Sequence, residues 1–288
     1  MRASLAYLLL LSSLFGCAPA WASEADAPPL EEAAQGTPAQ SVAAAYQEPG
    51  RQPSALVADI KAYVSAPLHW DGRDWLYFAG ALGAIGLSHH YDSQIRTHFT
   101  QDSPYYLNPK LNGFELQDAA PTLALLVGTW GYAQLTDDVS GNQEAWAMLE
   151  AGAFSGVTAF AGHYVVGREG PQETTDPDLW RHGGTSFPSL HTTVAFAVGT
   201  VMAESGSDDY RWLRRVLGYG VGIFTGYQRL KHNQHWLSDT VAGAALGAAS
   251  ARFAMKRRYP SQDETVLGGL SIEPTSSGGL MVSYRKEF

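Results

Sequence analysis

Three polar residues in the last quarter of the chain have types and spacing suited to nucleophilic or acid–base chemistry. His235 and Asp239 stand four apart at the start of an expected helix, so they share a face. A carboxylate placed there can accept from one imidazole nitrogen, fix the tautomer and raise the basicity of the other. A histidine so held is a competent nucleophile or base. Arg229 precedes His235 by six residues in an expected loop, where its fork of donors suits an oxyanion.

A second stretch, Ser186-Phe187-Pro188-Ser189-Leu190-His191-Thr192, runs into apolar residues. Pro188 and Ser189 mark a helix start. Backbone N–H groups of a first turn attract phosphate. His191 lies in that turn and could give a proton to a leaving oxygen. Either stretch alone is commonplace on a solvated helix face. A metal reading also exists: His232, His235 and Asp239 could ligate zinc, with His191 as a fourth group. The arginine and the helix start suit an anion better than a cation.

The elements that must position these groups read as apolar helices. The segments are Trp75–Leu87, Pro121–Leu135, Ala145–Val166, Thr192–Ala203, Leu213–Gln228 and Ser238–Phe253. No period-two alternation crosses this region. The expected fold class is all-α, an apolar bundle of about six helices. Gly152/Gly156, Gly222/Gly226 and Gly243/Gly247 are spaced to let backbones approach. Ala119–Thr136 is the one uncharged run near the length of a membrane span, whereas Glu150, Arg214, Arg215, Asp239 and Arg252 interrupt the others. Membrane proximity is expected; embedding is left open. In the tail, Val266–Ile272 and Leu280–Tyr284 flank Pro274–Gly279, a hairpin signal. Leu280, Val282, Tyr284 and Phe288 share one parity and could dock on the bundle.

The composition narrows the classes. The chain has 288 residues, 45% hydrophobic and 16% charged, with a formal net charge of −9. The apolar content argues against global disorder. An acidic chain without a dense basic patch lacks the surface that nucleic acid needs. The single cysteine, Cys17, leaves no intramolecular disulfide and no multi-cysteine zinc site. Arg2, the apolar run Leu5–Gly16 and Ala20-Trp21-Ala22 form the three parts of a secretory signal peptide over 1–22. The alternative is lipidation at Cys17, with Phe15 bulky for that pattern. Residues 23–66 read as an acidic Ala/Pro-rich linker, with a short helix around Ser54–Val64. Residues 67–258 form the helical domain and 259–288 a β-hairpin tail.

Pro188-Ser189-x-His191, followed by Arg229, five residues, His235, three residues and Asp239, resembles the type 2 phosphatidic acid phosphatase superfamily. That group includes bacterial acid phosphatases and vanadium haloperoxidases. Asn233-Gln234-His235-Trp236-Leu237-Ser238-Asp239, leading into Ala242–Gly247, is similar to envelope members, and the resemblance runs from about Asp74 to Phe253. It implies a helical bundle and phosphoryl transfer without metal or cofactor. His235 would attack phosphorus and form a phosphohistidine, oriented by Asp239. His191 would protonate the leaving alkoxide and then activate water. Arg229, Ser189 and the amides near Leu190 would hold the phosphoryl oxygens.

Departures concentrate in the first motif, a Lys, six residues, then Arg-Pro. Aligned on Pro171, it has His163 in place of the Lys and Gly170 in place of the Arg. Leu190 replaces a glycine and Gln228 a serine. His163 and Arg168 are the candidate phosphate-binding replacements, with Arg181 and His182 further options. The expected function is an envelope phosphatase for a phosphomonoester or pyrophosphate on a small molecule or lipid. Its active site would face the periplasm, and its activity would be reduced by the two lost cations. The alternative is a catalytically degenerate anion-binding or structural protein. A zinc hydrolase or vanadium oxidase is a weaker third.

Overall fold

The structure, a computed structural model, describes residues 53–101, 116–206, 210–258, 270–274 and 280–284. The expected signal peptide, the linker up to residue 52 and the side chains of the tail lie outside the described residues. Described residues up to Leu76 belong to one unit and those from Tyr77 onward to another. In the first unit, α1 (Pro53–Ser65) and a 3-10 turn (Ala66–His69) lead into α2 (Gly72–His90), which continues into the second. Asp71 starts α2 by accepting from the amides of Arg73 and Asp74 at 2.8 and 2.9 Å.

The second unit continues with α3 (Asp92–Thr100), α4 (Leu116–Leu135), α5 (Val139–Val166), α6 (Leu190–Glu204), α7 (Arg211–Lys231) and α8 (Leu237–Arg258). The fold is all-α, as the apolar periodicity predicts. In the tail, β1 (Leu270–Pro274) pairs antiparallel with β2 (Leu280–Tyr284), Leu270 opposite Tyr284. Two differences from the sequence expectation bear on the site. Helix α3 is additional; its only large apolar residues, Ile95 and Phe99, are too few to show a period. Helix α4 starts at Leu116, not at Pro121, which puts Asp118 in its first turn.

Helix α6 is the centre of the bundle, packed against α4, α5, α7 and α8. It carries no charge before Glu204, and a helix apolar on every side belongs inside. The core unites Met148 and Ala151 of α5, Val198 and Val201 of α6, and Ala251 and Ala254 of α8, each 0–2% exposed. Helix α8 sits directly on the backbone of α6. A Cβ on Gly243 would lie 2.8 Å from the Ser189 carbonyl oxygen, and one on Gly247 would lie 2.2 Å from that of Thr193. Gly247→Ala is therefore expected to destabilise the protein by ~1–3 kcal/mol. Gly152→Ala, whose methyl would meet Val194 at an ordinary 3.6 Å, should gain up to about 1 kcal/mol from helix propensity. Urea unfolding of the two variants checks both signs.

Of the charges that interrupt the apolar segments, Glu150, Arg214, Arg215 and Asp239 are paired. Glu150 accepts from Arg258 at 2.6 and 2.8 Å, and Glu144 from Arg214 and from Ser205 Oγ. Buried charges persist only when so compensated. Among the described residues, no helix is long and apolar enough to cross a membrane.

Candidate active site

Two helix ends and the loop between them build the site. Helix α5 stops at Gly167, whose φ of 59° is the left-handed turn that glycine adopts freely, and whose N–H donates to the His163 carbonyl. The chain then turns Arg168 inward and runs through Ser186 to Ser189, the N-cap of α6. Helix α8 begins just after His235. Asp239, its third residue, reaches back to accept from the Trp236 amide at 2.9 Å, the carboxylate half of a capping box. The Ser189 amide donates to the Asp239 carbonyl at 3.1 Å, tying the first turns of α6 and α8 together.

His235 is 8% exposed. Its Nδ1 donates to the Ser186 carbonyl at 2.8 Å, which fixes the tautomer and leaves the lone pair on Nε2. The Asp239 carboxylate lies 3.7 Å from Nδ1, an ion-pair distance but too long for a hydrogen bond. The direct acceptor expected at Asp239 is thus the Ser186 carbonyl. Asp239 acts at one remove, because its Oδ2 accepts from Ser186 Oγ at 2.5 Å. Burial pushes the His235 pKa below its ordinary value and Arg229 adds to this, while Asp239 and the Ser186 carbonyl oppose. Burial and Arg229 thus favour the neutral ring.

Arg229 lies in the last turn of α7 rather than in a loop, and is 6% exposed. Its Nη1 donates to Asp118 Oδ2 at 3.1 Å, and His232 Nδ1 donates to the same oxygen at 3.2 Å. Burial alone would raise the Asp118 pKa; His232 and Arg229 overcome it and hold the carboxyl below the usual range. His191 is within electrostatic reach of Arg229, His235 and Asp118. Burial first, then Arg229 and His235, push its pKa from 6.5 down to about 4, with Asp118 opposing. His191, His235 and Arg229 thus lie within electrostatic reach of one another.

Ser189 is fully buried with Oγ 3.0 Å from Thr192 Oγ1, and makes no side-chain cap on α6, whose first residue is Leu190. Uncapped first-turn amides are the groups an anion satisfies. His163 turns its Nε2 to the Pro188 carbonyl at 2.9 Å. With Arg181 it lines a cleft of about 270 Å³ that includes Tyr164, Gly183 and Thr185 but neither His191 nor His235. Arg168 is completely buried. Its five N–H groups go to the Pro177 carbonyl, Ser238 Oγ, Asp239 and Asp92. Its expected place as a phosphate ligand is corrected: the guanidinium has no donor left for one. Gly170 lies against the site, 3.4 Å from its Cβ position to the Gln234 carbonyl and 3.5 Å to Ser186 Oγ. Arg96 of α3 donates through Nε to the Pro171 carbonyl at 3.1 Å, a cation at the first motif that the sequence pattern did not mark. The zinc set is turned apart, His232 toward Asp118 and Asp239 toward Arg168. Among the described residues no group of three or more His, Cys, Asp or Glu is arranged to hold a metal.

Residues 146–263 match the model of the PAP2 superfamily. The chain carries a PAP2 superfamily domain. This PAP2 domain contains His163, Arg168, Ser189, His191, Arg229, His235 and Asp239, whereas Asp92 and Asp118 reach the site from helices upstream of it. Over 95 residues the chain is 38% identical to a lipid A 1-phosphatase of Porphyromonas gingivalis, covering 33% of this chain and 19% of that protein. The chain thus spans about a fifth of the length of the curated relative it matches. No solved structure matches.

Proposed function

We propose that the PAP2 domain hydrolyses a phosphomonoester or pyrophosphate without a metal, through a phosphohistidine on His235. The observation that carries this is the His235 ring itself: Nδ1 is committed to the Ser186 carbonyl, Nε2 is left to react, and Arg229 and the uncapped start of α6 are close by. In the first step Nε2 attacks phosphorus, the bond to the leaving oxygen breaks, and His191 gives that oxygen a proton. In the second, water attacks phosphorus as His191 takes its proton, the phosphorus–nitrogen bond breaks with its electron pair returning to Nε2, and phosphate departs. Arg229 and the amides of Leu190 and His191 hold the non-bridging oxygens, where charge stabilisation contributes most to phosphoryl transfer.

The substrate class we favour is a phosphorylated lipid. The matched relative is named for a lipid phosphatase. Large apolar side chains also stand exposed on α4, α5 and α7, among them Val127, Trp130, Val157, Phe160, Trp212 and Val216. Such surface suits an amphiphile at a membrane. With the leader-like start of the chain, this reading puts the protein in the cell envelope with its site facing the periplasm.

Purified protein assayed with a chromogenic phosphomonoester and with a lipid-linked phosphate tests the proposal. Turnover that persists in excess chelator is expected, faster on the lipid. A second reading is an anion-binding protein without turnover, which the Arg229–Asp118 pairing favours because Asp118 offsets part of the charge that Arg229 would lend a transition state. A folded protein that binds phosphate and releases none from either substrate would select it. Loss of turnover on chelation would reject both.

A further inference from the structure

Asp92 is fully buried on α3, and two of its partners, Arg168 and Ser238, are far from it in sequence. Its Oδ1 accepts from the Ser238 amide at 2.8 Å. Its Oδ2 accepts from Ser238 Oγ at 2.6 Å and from Arg168 Nη2 at 2.7 Å, and pairs with His89 Nδ1 at 2.9 Å. Arg168 carries the link onward, donating through Nη1 to Ser238 Oγ at 2.8 Å and to Asp239 Oδ1 at 2.5 Å. The guanidinium lies 4.2 Å from the ring centroid of Trp180 and 5.4 Å from that of Trp236. Asp92, Arg168 and Asp239 are each 0% exposed.

Three buried charges make a poor stabilising device, because desolvation offsets their attraction and apolar replacements often hold a core better. What such a chain does well is fix direction. All of it converges on Ser238 and Asp239, the second and third residues of α8, immediately after His235. Asp92 serves the Ser238 amide from outside the helix, as Asp239 serves the Trp236 amide from within it. Asp239 Oδ2 then holds Ser186 Oγ, and the Ser186 carbonyl accepts from His235. One unbroken path of short contacts runs from α3 to the imidazole.

We infer that Asp92 and Arg168 are positioning residues that set the tautomer and aim of His235 through Ser238, Asp239 and Ser186. This rests on the proposed function in that His235 is taken as the nucleophile. The charges along the path alternate. Without the Asp92 charge, Asp239 is the one carboxylate left on Arg168 among the described residues, and Arg168 draws it to itself. Ser186 then loses its acceptor, and His235 sees more positive charge. The charged and titratable groups that otherwise face His235 are Arg229 from α7, His191 from α6 and Asp239 from α8; Asp118 of α4 acts on the first two.

Nitrogen NMR of the full chain labelled at histidine, read with and without Asp92→Asn, tests this without requiring turnover. In the wild type His235 is expected as the single Nδ1–H tautomer. Asp92→Asn is expected to give a tautomer mixture and a lower His235 pKa. On a phosphomonoester it should lose ~10- to 100-fold in kcat, the size of a misaimed reacting group, with KM changed less than about twofold. Ser238→Ala keeps every charge but removes the hydroxyl between Asp92 and Arg168; it should move the same readouts less. It also serves if Asp92→Asn does not fold. A folded variant with wild-type tautomer, pKa and kcat overturns the inference, and so does a rise in KM alone, which would put Arg168 on the phosphate. A tautomer response in a wild type that turns over no ester would sink the phosphatase reading and leave the positioning role standing.

Discussion

Substitution of His235 by Ala is expected to lower phosphate release by about 10⁶-fold, the loss seen when a covalent nucleophile is deleted. The residual rate would come from Arg229 and the start of α6, which still hold the ester. The size follows from the arrangement around the ring. Among the described residues near it, Asp239 is spent on Arg168, Ser186 and the Trp236 amide, and His232 on Asp118. Neither is poised to attack in its place. Binding should survive, because the deleted ring is not what grips the oxygens. The check is a pair of measurements on folded protein: phosphate release at saturating substrate, and rapid quench with labelled ester. Wild type should carry an acid-labile, alkali-stable phosphoryl group that the variant lacks. Retention of even a hundredth of the wild-type rate would remove His235 from the chemistry.

The second large effect belongs to His191. His191→Ala is expected to lose about 10²–10⁴-fold on an alkyl phosphate, whose leaving oxygen needs a proton. A nitrophenyl ester, whose leaving group does not, should still phosphorylate the variant. Water attack then stalls, so the phosphoenzyme accumulates and a burst appears. The pH dependence has a definite sign. His191 must be protonated to act as acid, and in the free protein its pKa is pushed down to about 4. His235 must be neutral, and its pKa is lowered too. Above about 4 the protonated fraction of His191 falls tenfold per pH unit, so kcat/KM for an alkyl ester should peak on the acid side and decline through neutrality. The nitrophenyl ester should show no such decline. Parallel profiles for the two esters in wild type would show that His191 is not the acid.

Much of this site is local, and what is local was legible in the sequence. His191 and His235 adjoin helix starts that Ser189 and the Asp239 spacing announce; helices α6 and α7 match their apolar periodicity to within a turn, whereas α5 starts six residues before Ala145 and α8 runs five beyond Phe253. What was not legible depends on contacts between distant parts of the chain. Asp118 meets Arg229 111 residues away, and Asp92 meets Ser238 across 146. No spacing rule reaches that far. Asp118 was further hidden because Pro121 reads as a helix start, although the helix begins a turn earlier. Arg168 shows the converse. Its position two residues before Gly170 suggested a phosphate ligand, but the left-handed turn at Gly167 sends it into the core, where two carboxylates and a carbonyl take its donors.

The seam between α6 and α8 has a consequence for how such a protein can diversify. Gly243 and Gly247 seat one helix on the main chain of Ser189 and Thr193, and the Ser189 amide bonds the Asp239 carbonyl. The spacing of His191 and His235, which adjoin the starts of these two helices, is therefore gauged by peptide groups, which do not change with side-chain identity. Mutation can recolour the outer faces and lengthen the loops, retuning which molecule is admitted, while the two imidazoles keep their separation. Selection for a new substrate need not begin by repairing the chemistry.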